Sequence, residues 1–83
     1  PNPFNPTTTI RFDIPEESRV SIDIYNVMGQ KVAEVVDAHY QPGFYTVNWA
    51  GTNTLGGALS SGMYFYRIQA KDFTAVKKLL LVK

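Results

Sequence analysis

Short runs of alternating apolar and polar residues recur about every ten residues, and they constrain the fold more than any other feature. In the run 7–14, Ile10, Phe12 and Ile14 fall on one face, and Arg11 and Asp13 on the other. Because a β-strand points successive side chains to opposite faces, this pattern is typical of a strand with one buried face. The sequence therefore predicts a chain built from half-buried strands.

Six such runs predict six strands, separated by turns that contain glycine, proline or polar residues. The spacing in 31–37 also fits a helical turn, but its three valines favour a strand. Residues 38–42 are predicted to form a loop, and 51–62 a longer polar loop with a short seventh strand near Ala58. We expect an all-β fold, an antiparallel immunoglobulin-like β-sandwich of about seven strands. The predicted strands are 7–14, 19–27, 31–37, 44–50, 62–70 and 74–83.

The faces of these runs predict the core and one structural irregularity. The alternation slips after Ile24, which indicates a bulge or the start of a turn tipped by Met28 and Gly29. Trp49 is placed inward, since tryptophan contributes the largest apolar area in the chain. Phe44 and Phe65 fall on the opposite faces of their strands, and they are candidates for an exposed aromatic patch.

The last run is the most hydrophobic. Its residues 79–82 are apolar at every position, which predicts that both faces of the final strand are covered. Basic residues are concentrated in the last seventeen residues, with one acid, Asp72, against five cations. An excess of lysine on a strand is typical of a solvated edge that resists sheet-to-sheet association. The five cations are Arg67, Lys71, Lys77, Lys78 and Lys83.

Length and composition exclude several classes of protein. Eighty-three residues fit one small domain, 1–83, whose proline-rich segment 1–6 leads in from an upstream linker. Because the chain begins at Pro1 rather than Met, we expect it to be part of a longer protein. The net charge of +1 gives no general attraction to nucleic acid, and the absence of cysteine excludes disulfides and thiolate metal sites. No run reaches the ~20 apolar residues of a membrane span.

The sequence offers little for catalysis. His39 is the only histidine, it lies in a predicted loop, and no cysteine or serine-elbow motif accompanies it. Glu16 and Glu17 are adjacent in a turn, so we expect them to point apart into solvent rather than across a cleft. The loop 49–57 has no carboxylate for calcium. We therefore predict a non-enzymatic domain without a cofactor or metal.

Six motifs follow one another along the chain: Pro-Asn-Pro-Phe-Asn-Pro at 1–6, Tyr-Asn-Val-Met-Gly-Gln at 25–30, Pro42-Gly43, Trp49, Ser-Gly-Met-Tyr-Phe-Tyr-Arg at 61–67 and Lys-Leu-Leu-Leu-Val-Lys at 78–83. Together these motifs resemble the type A C-terminal sorting domain of the type IX secretion system. The likeness covers nearly the whole chain, in matching order and spacing. One departure is Ala50, where many relatives carry an acidic residue. The fold is also similar to the immunoglobulin-like module of the flagellar hook-capping scaffold.

The resemblance implies that the domain directs a larger cargo, encoded upstream in the same chain, from the periplasm across the outer membrane of a Gram-negative bacterium. The implied partners are the outer-membrane translocon and its processing peptidase, and the cargo is secreted or attached to the cell surface. The implied recognition residues are Gly62 and Tyr64 in the sorting motif, and Lys78, Leu80, Val82 and Lys83 in the terminal motif.

Three other interpretations stay open at this point. The domain is alternatively an accessory carbohydrate-binding module of a secreted enzyme, which predicts an exposed row of aromatic residues. It is alternatively a structural spacer, as in the hook-capping likeness. A hydrophobic edge strand also permits a homodimer.

Overall fold

The computed structural model describes residues 7–83, which fold into two antiparallel β-sheets and contain no helix. A four-stranded sheet has the order β3-β2-β5-β6, and a two-stranded sheet pairs β1 with β4. The all-β antiparallel fold predicted from the alternation is confirmed. The strands are β1 (Thr8–Ile14), β2 (Ser18–Tyr25), β3 (Lys31–Tyr40), β4 (Gly43–Trp49), β5 (Gly62–Ala70) and β6 (Phe73–Leu81).

Within this part of the chain there are six strands rather than seven. The short strand predicted near Ala58 is a single bridge between Thr52 and Ala58 in the 51–61 loop. The segment 1–6, with its predicted anchor Phe4, lies outside the described residues.

The core lies between the two sheets and is filled by the faces that the alternation assigned inward. Val20, Ile22 and Ile24 of β2 are completely buried, and β2 is a central strand of the larger sheet. Trp49 is buried at the end of β4, as predicted, and its indole N–H donates to the carbonyl of Thr52 at 2.9 Å. The smaller sheet thus covers one face of the larger sheet, and its aromatic rings contact Tyr40 of β3 and Tyr64 of β5.

The turn between β2 and β3 is built as the sequence indicated. The β2–β3 register shifts between Ile24 and Tyr25, where the alternation slips. The Asn26 side-chain oxygen accepts hydrogen bonds from the backbone N–H groups of Met28 (2.9 Å) and Gln30 (3.0 Å). Gly29 has φ of 83°, a conformation that glycine adopts at little cost.

Strand β3 is longer than predicted, and the predicted loop at 38–42 is wrong at its start. The strand continues to Tyr40, which pairs with Ser18 of β2. The tyrosine ring contacts Phe12 edge-on at 5.3 Å and Tyr45 at 4.7 Å between centroids. This aromatic cluster holds the end of β3 against the other sheet, so His39 lies in a strand rather than in a loop.

The prediction that both faces of the last strand are covered is wrong. Leu79 and Leu81 are buried, with 5% and 1% of their surface exposed, whereas Leu80 and Val82 are 64% and 61% exposed. The reason lies in the layers of the fold, because the smaller sheet covers only one face of the larger one. A run of apolar residues cannot report whether a third layer exists.

We predict that two adjacent leucines differ sharply in their contribution to stability. Leu79→Ala should lower the free energy of unfolding by about 2–5 kcal/mol, since it leaves a cavity in the core. Leu80→Ala, its matched control, should change it by less than about 0.5 kcal/mol. Urea unfolding measures both, and equal losses would contradict the observed orientation of β6.

Candidate functional site

The six residues implicated by the sequence meet at one end of the sandwich, which we call the terminal pole. It contains the start of β1, the end of β4, the start of β5 and the end of β6. At this pole Thr8 of β1 pairs with Trp49 of β4, and Gly62 of β5 pairs with Leu81 of β6. The terminal pole therefore holds both the last residue and the strand that joins the upstream chain.

Gly62 and Tyr64 support the terminal pole from within. Gly62 has φ of 154° where the loop turns into β5, and a Cβ there would have no atom within 4 Å. Glycine is therefore favoured at position 62 by the backbone conformation, and not because a larger side chain would clash. Tyr64 is buried, its hydroxyl donates to the carbonyl of Ser60 at 2.7 Å, and its ring packs edge-on against Trp49 at 5.8 Å.

Lys83 is partly engaged by the fold. Its backbone N–H donates to the hydroxyl of Ser61 at 2.9 Å, and its ammonium donates to the carbonyl of Gly51 at 3.3 Å. These hydrogen bonds fasten the end of the chain onto the two ends of the 51–61 loop, which precedes β5. Lys83 thus differs from a freely solvated lysine.

The other three residues form an exposed row. Lys78, Leu80 and Val82 alternate with inward-facing neighbours, so they share the outer face of the larger sheet. Met63 lies directly opposite Leu80 on β5 and is also exposed. We call Lys78, Leu80, Val82 and Met63 the outer row. Sequence reasoning missed Met63, although its place one residue before the inward-facing Tyr64 gave the signal.

The outer row borders an unpaired strand edge. In the described part of the chain β6 pairs with β5 alone, so the backbone groups along its other side are free for a further strand. Lys77, Lys78 and Lys83 form no ion pair within residues 7–83. The edge therefore combines backbone donors and acceptors, exposed apolar side chains and positive charge.

Gly51 is a further residue of the terminal pole that sequence reasoning did not single out. Its φ is 74°, and a Cβ at this position would lie 2.8 Å from a methyl group of Leu81. Its carbonyl accepts from the Leu59 N–H at 2.9 Å as well as from Lys83. Gly51 lets the loop approach the last strand closely enough to hold it.

Phe44 and Phe65 do not form a common aromatic patch. Phe44 is on the outer face of β4 in the smaller sheet, and Phe65 is half-buried on the outer face of β5 in the larger sheet. The two rings therefore lie on opposite sides of the molecule. Phe44 and Phe65 therefore do not belong to one exposed row of aromatic side chains.

The histidine and the paired glutamates are engaged in polar contacts at the surface. The ring Nε2 of His39 lies 2.6 Å from Oε2 of Glu17, and the Gln41 amide donates to the same oxygen at 3.2 Å. Glu16 pairs instead with Lys71 at 3.1 Å. Within residues 7–83, no group of three His, Cys, Asp or Glu side chains is placed to hold a metal ion. That region also has no helix of the length and apolarity that a membrane crossing needs.

The family model described as the secretion system C-terminal sorting domain matches residues 1–83. The chain belongs to this family. The sorting domain is thus a C-terminal signal for type IX secretion, as its motifs predicted.

A solved structure supports the fold of the sorting domain. FlgD from P. aeruginosa is 22% identical, with a TM-score of 0.70 over 90% of this chain. The matched region spans 57% of the FlgD chain, so the likeness concerns one part of that protein and shows the fold alone. It agrees with the predicted similarity to a hook-capping protein. Comparison with the curated proteins gives no match.

Membership of this family indicates the general function of the domain. Sorting domains of this kind are non-catalytic signals that imply recognition by the type IX machinery and an upstream cargo domain. They also imply export through the outer membrane of a Gram-negative bacterium.

We predict that Gly62→Ala lowers the free energy of unfolding by about 1–3 kcal/mol, since alanine is strained at this φ. No steric clash contributes, because the space around residue 62 is open. Urea unfolding of the variant measures the loss. Wild-type stability would show that the backbone corner does not require glycine.

We also predict a pH dependence from the Glu17–His39 contact. The hydrogen bond from His39 is the main cause that lowers the pKa of Glu17 below 4.5, followed by the Gln41 amide and the charge of His39. A lowered carboxyl pKa adds stability above pH 4.5, and this stability is lost as the pH falls through the folded-state value. The unfolding midpoint of Glu17→Gln should therefore lie below that of the wild type at neutral pH and converge with it in acid. A gap that widens in acid would contradict the contact.

Proposed function

We propose that the type IX translocon recognises the sorting domain through the free edge of β6 and the outer row. Lys78, Leu80 and Val82 would be the contact residues, while Gly62 and Tyr64 hold the strand in position and Lys83 serves both purposes. The observation that carries this proposal is the exposure of Leu80 and Val82 beside an unpaired strand edge. Such an edge is an aggregation hazard in a soluble domain unless a partner covers it.

The chemistry of the edge fits strand addition. A strand of the translocon would bond to the free backbone groups of β6, and its side chains would meet the alternate residues of the outer row. The unpaired lysines would attract an acidic partner surface and speed the encounter. This mode needs a folded domain, because Lys83 is held by hydrogen bonds to the 51–61 loop, which is more than 20 residues away in sequence.

The location of the terminal pole supports a link between recognition and processing. β1 begins at this pole, so a translocon that binds the outer row would also lie close to the junction with the cargo. A peptidase associated with the translocon would then reach that junction after transport. The cargo would be released or attached to the cell surface, and residues 1–83 would act as one removable, non-catalytic unit.

The geometry favours this function over the alternatives. A carbohydrate-binding module predicted a shared row of exposed aromatics, and Phe44 and Phe65 lie on opposite sheets. A homodimer through β6 would place Lys77 and Lys78 of two copies near each other, which like-charge repulsion opposes. The spacer interpretation rests on the fold alone.

An export assay tests the proposal. The 83 residues are fused behind a reporter with a signal peptide, in a cell that has the type IX system. Lys78→Ala, Leu80→Ala and Val82→Ala should each lower the exported fraction several-fold without loss of folding, because these side chains are exposed.

The matched control is Val76→Ala, because Val76 is exposed on the same strand but further from the terminal pole. It should be exported like the wild type. Normal export of all three outer-row variants, with normal unfolding midpoints, would refute recognition through this edge.

A further inference from the structure

A second concave surface lies at the opposite end of the sandwich. A cleft of about 800 Å³ opens between the β1–β2 turn, the start of β4 and the β5–β6 turn. Its lining includes the buried residues Ile14 and Ala70. We call it the distal cleft, and its volume lies within the range of small-ligand and side-chain pockets.

Two phenyl rings lining the distal cleft are exposed. Phe44 at the start of β4 is 86% exposed, and Phe73 at the start of β6 is 59% exposed. Neither ring takes part in the aromatic cluster of the core. Exposed aromatic side chains gathered in a concave site, rather than scattered over a surface, mark a place where a ligand removes them from water.

Carboxylates dominate the charge of the distal cleft. Asp13, Glu16 and Asp72 line it together with a single cation, Lys71, whose ammonium is engaged by Glu16 at 3.1 Å. Asp13 and Asp72 form no ion pair or side-chain hydrogen bond within residues 7–83. Two carboxylates beside apolar walls focus a negative potential into the cleft.

We propose that the distal cleft binds an arginine or lysine side chain of an extended basic peptide from another protein. The faces of Phe44 and Phe73 would attract the cation, as aromatic rings do when a cation lies over them. The apolar stem of the side chain would cover Ile14 and Ala70, and Asp13 and Asp72 would accept charge-assisted hydrogen bonds from its head. A neutral sugar would cover the same rings but leave both carboxylates desolvated without a counter-charge.

The distal cleft lies far from the start of β1. β1 begins beside Trp49, at the terminal pole, and the length of β1 separates that pole from the distal cleft by about 20 Å. The distal cleft thus stays open while the terminal pole is bound. A basic peptide would be a second ligand, independent of the translocon contact.

A peptide titration tests this proposal. The ¹⁵N-labelled chain is titrated with the capped peptide Gly-Leu-Arg-Leu-Gly, and separately with its citrulline analogue, which has nearly the same shape but no charge. The arginine peptide should shift the amide signals of residues in the two turns and at the start of β4. The citrulline peptide should bind at least about tenfold more weakly, because it lacks the charge that Asp13 and Asp72 complement.

Variants assign the binding to named side chains. Phe44→Ala and the double change Asp13→Asn with Asp72→Asn should each weaken the arginine peptide by about tenfold or more. Leu55→Ala, at a fully exposed residue that does not line the distal cleft, should leave its affinity unchanged. Dispersed amide spectra show that each variant is folded.

Three results would overturn the proposal. The first is equal binding of the arginine and citrulline peptides, and the second is no binding of either peptide at millimolar concentration. The third is a neutral oligosaccharide, maltoheptaose, that shifts the signals of the distal cleft when the arginine peptide does not. That last outcome would assign the rings to sugar stacking.

Discussion

The close approach of Gly51 to Leu81 is the contact on which the terminal pole depends. A Cβ at residue 51 would lie 2.8 Å from a methyl group of the buried Leu81, and the carbonyl of the same glycine accepts a hydrogen bond from the Lys83 ammonium. Trp49 and Tyr64 pack beside this contact and join the two sheets. Residues far apart in sequence therefore become one surface only when the domain is folded, which is what a sorting signal recognised after folding requires.

The alternation of the sequence was sufficient to predict most of the fold, because each half-buried strand shows its own pattern. It was insufficient for β3, since Ala38 and His39 are ordinary loop residues. The strand is extended by contacts with distant residues, namely its pairing with β2 and the packing of Tyr40 on Phe12 and Tyr45. It also failed for Leu80. A run of four apolar residues occurs both in a two-layer sandwich, where one face of the sheet is open, and in a three-layer fold. The sequence pattern alone does not distinguish the two.

The candidate site was predictable in part. The resemblance supplied six residues, but only the three-dimensional contacts separate Gly62 and Tyr64, which support the structure, from the exposed Lys78, Leu80 and Val82. Gly51 could not be found from local pattern, because its importance arises from its contact with Leu81 on another element. The distal cleft could not be found from local pattern either, since its residues come from two turns and the start of a strand that are far apart in sequence.

The direction in which the two ends of the chain leave the domain has a mechanical consequence. β1 begins and β6 finishes at the same pole, in different sheets. A force that pulls the C-terminal end away from the cargo would therefore peel β6 from β5 and β1 from β4. The backbone hydrogen bonds between the paired strands would break one after another. Strands loaded lengthwise resist far better, since their bonds share the tension. The domain should thus unfold at a low force when it is pulled from its C-terminal end.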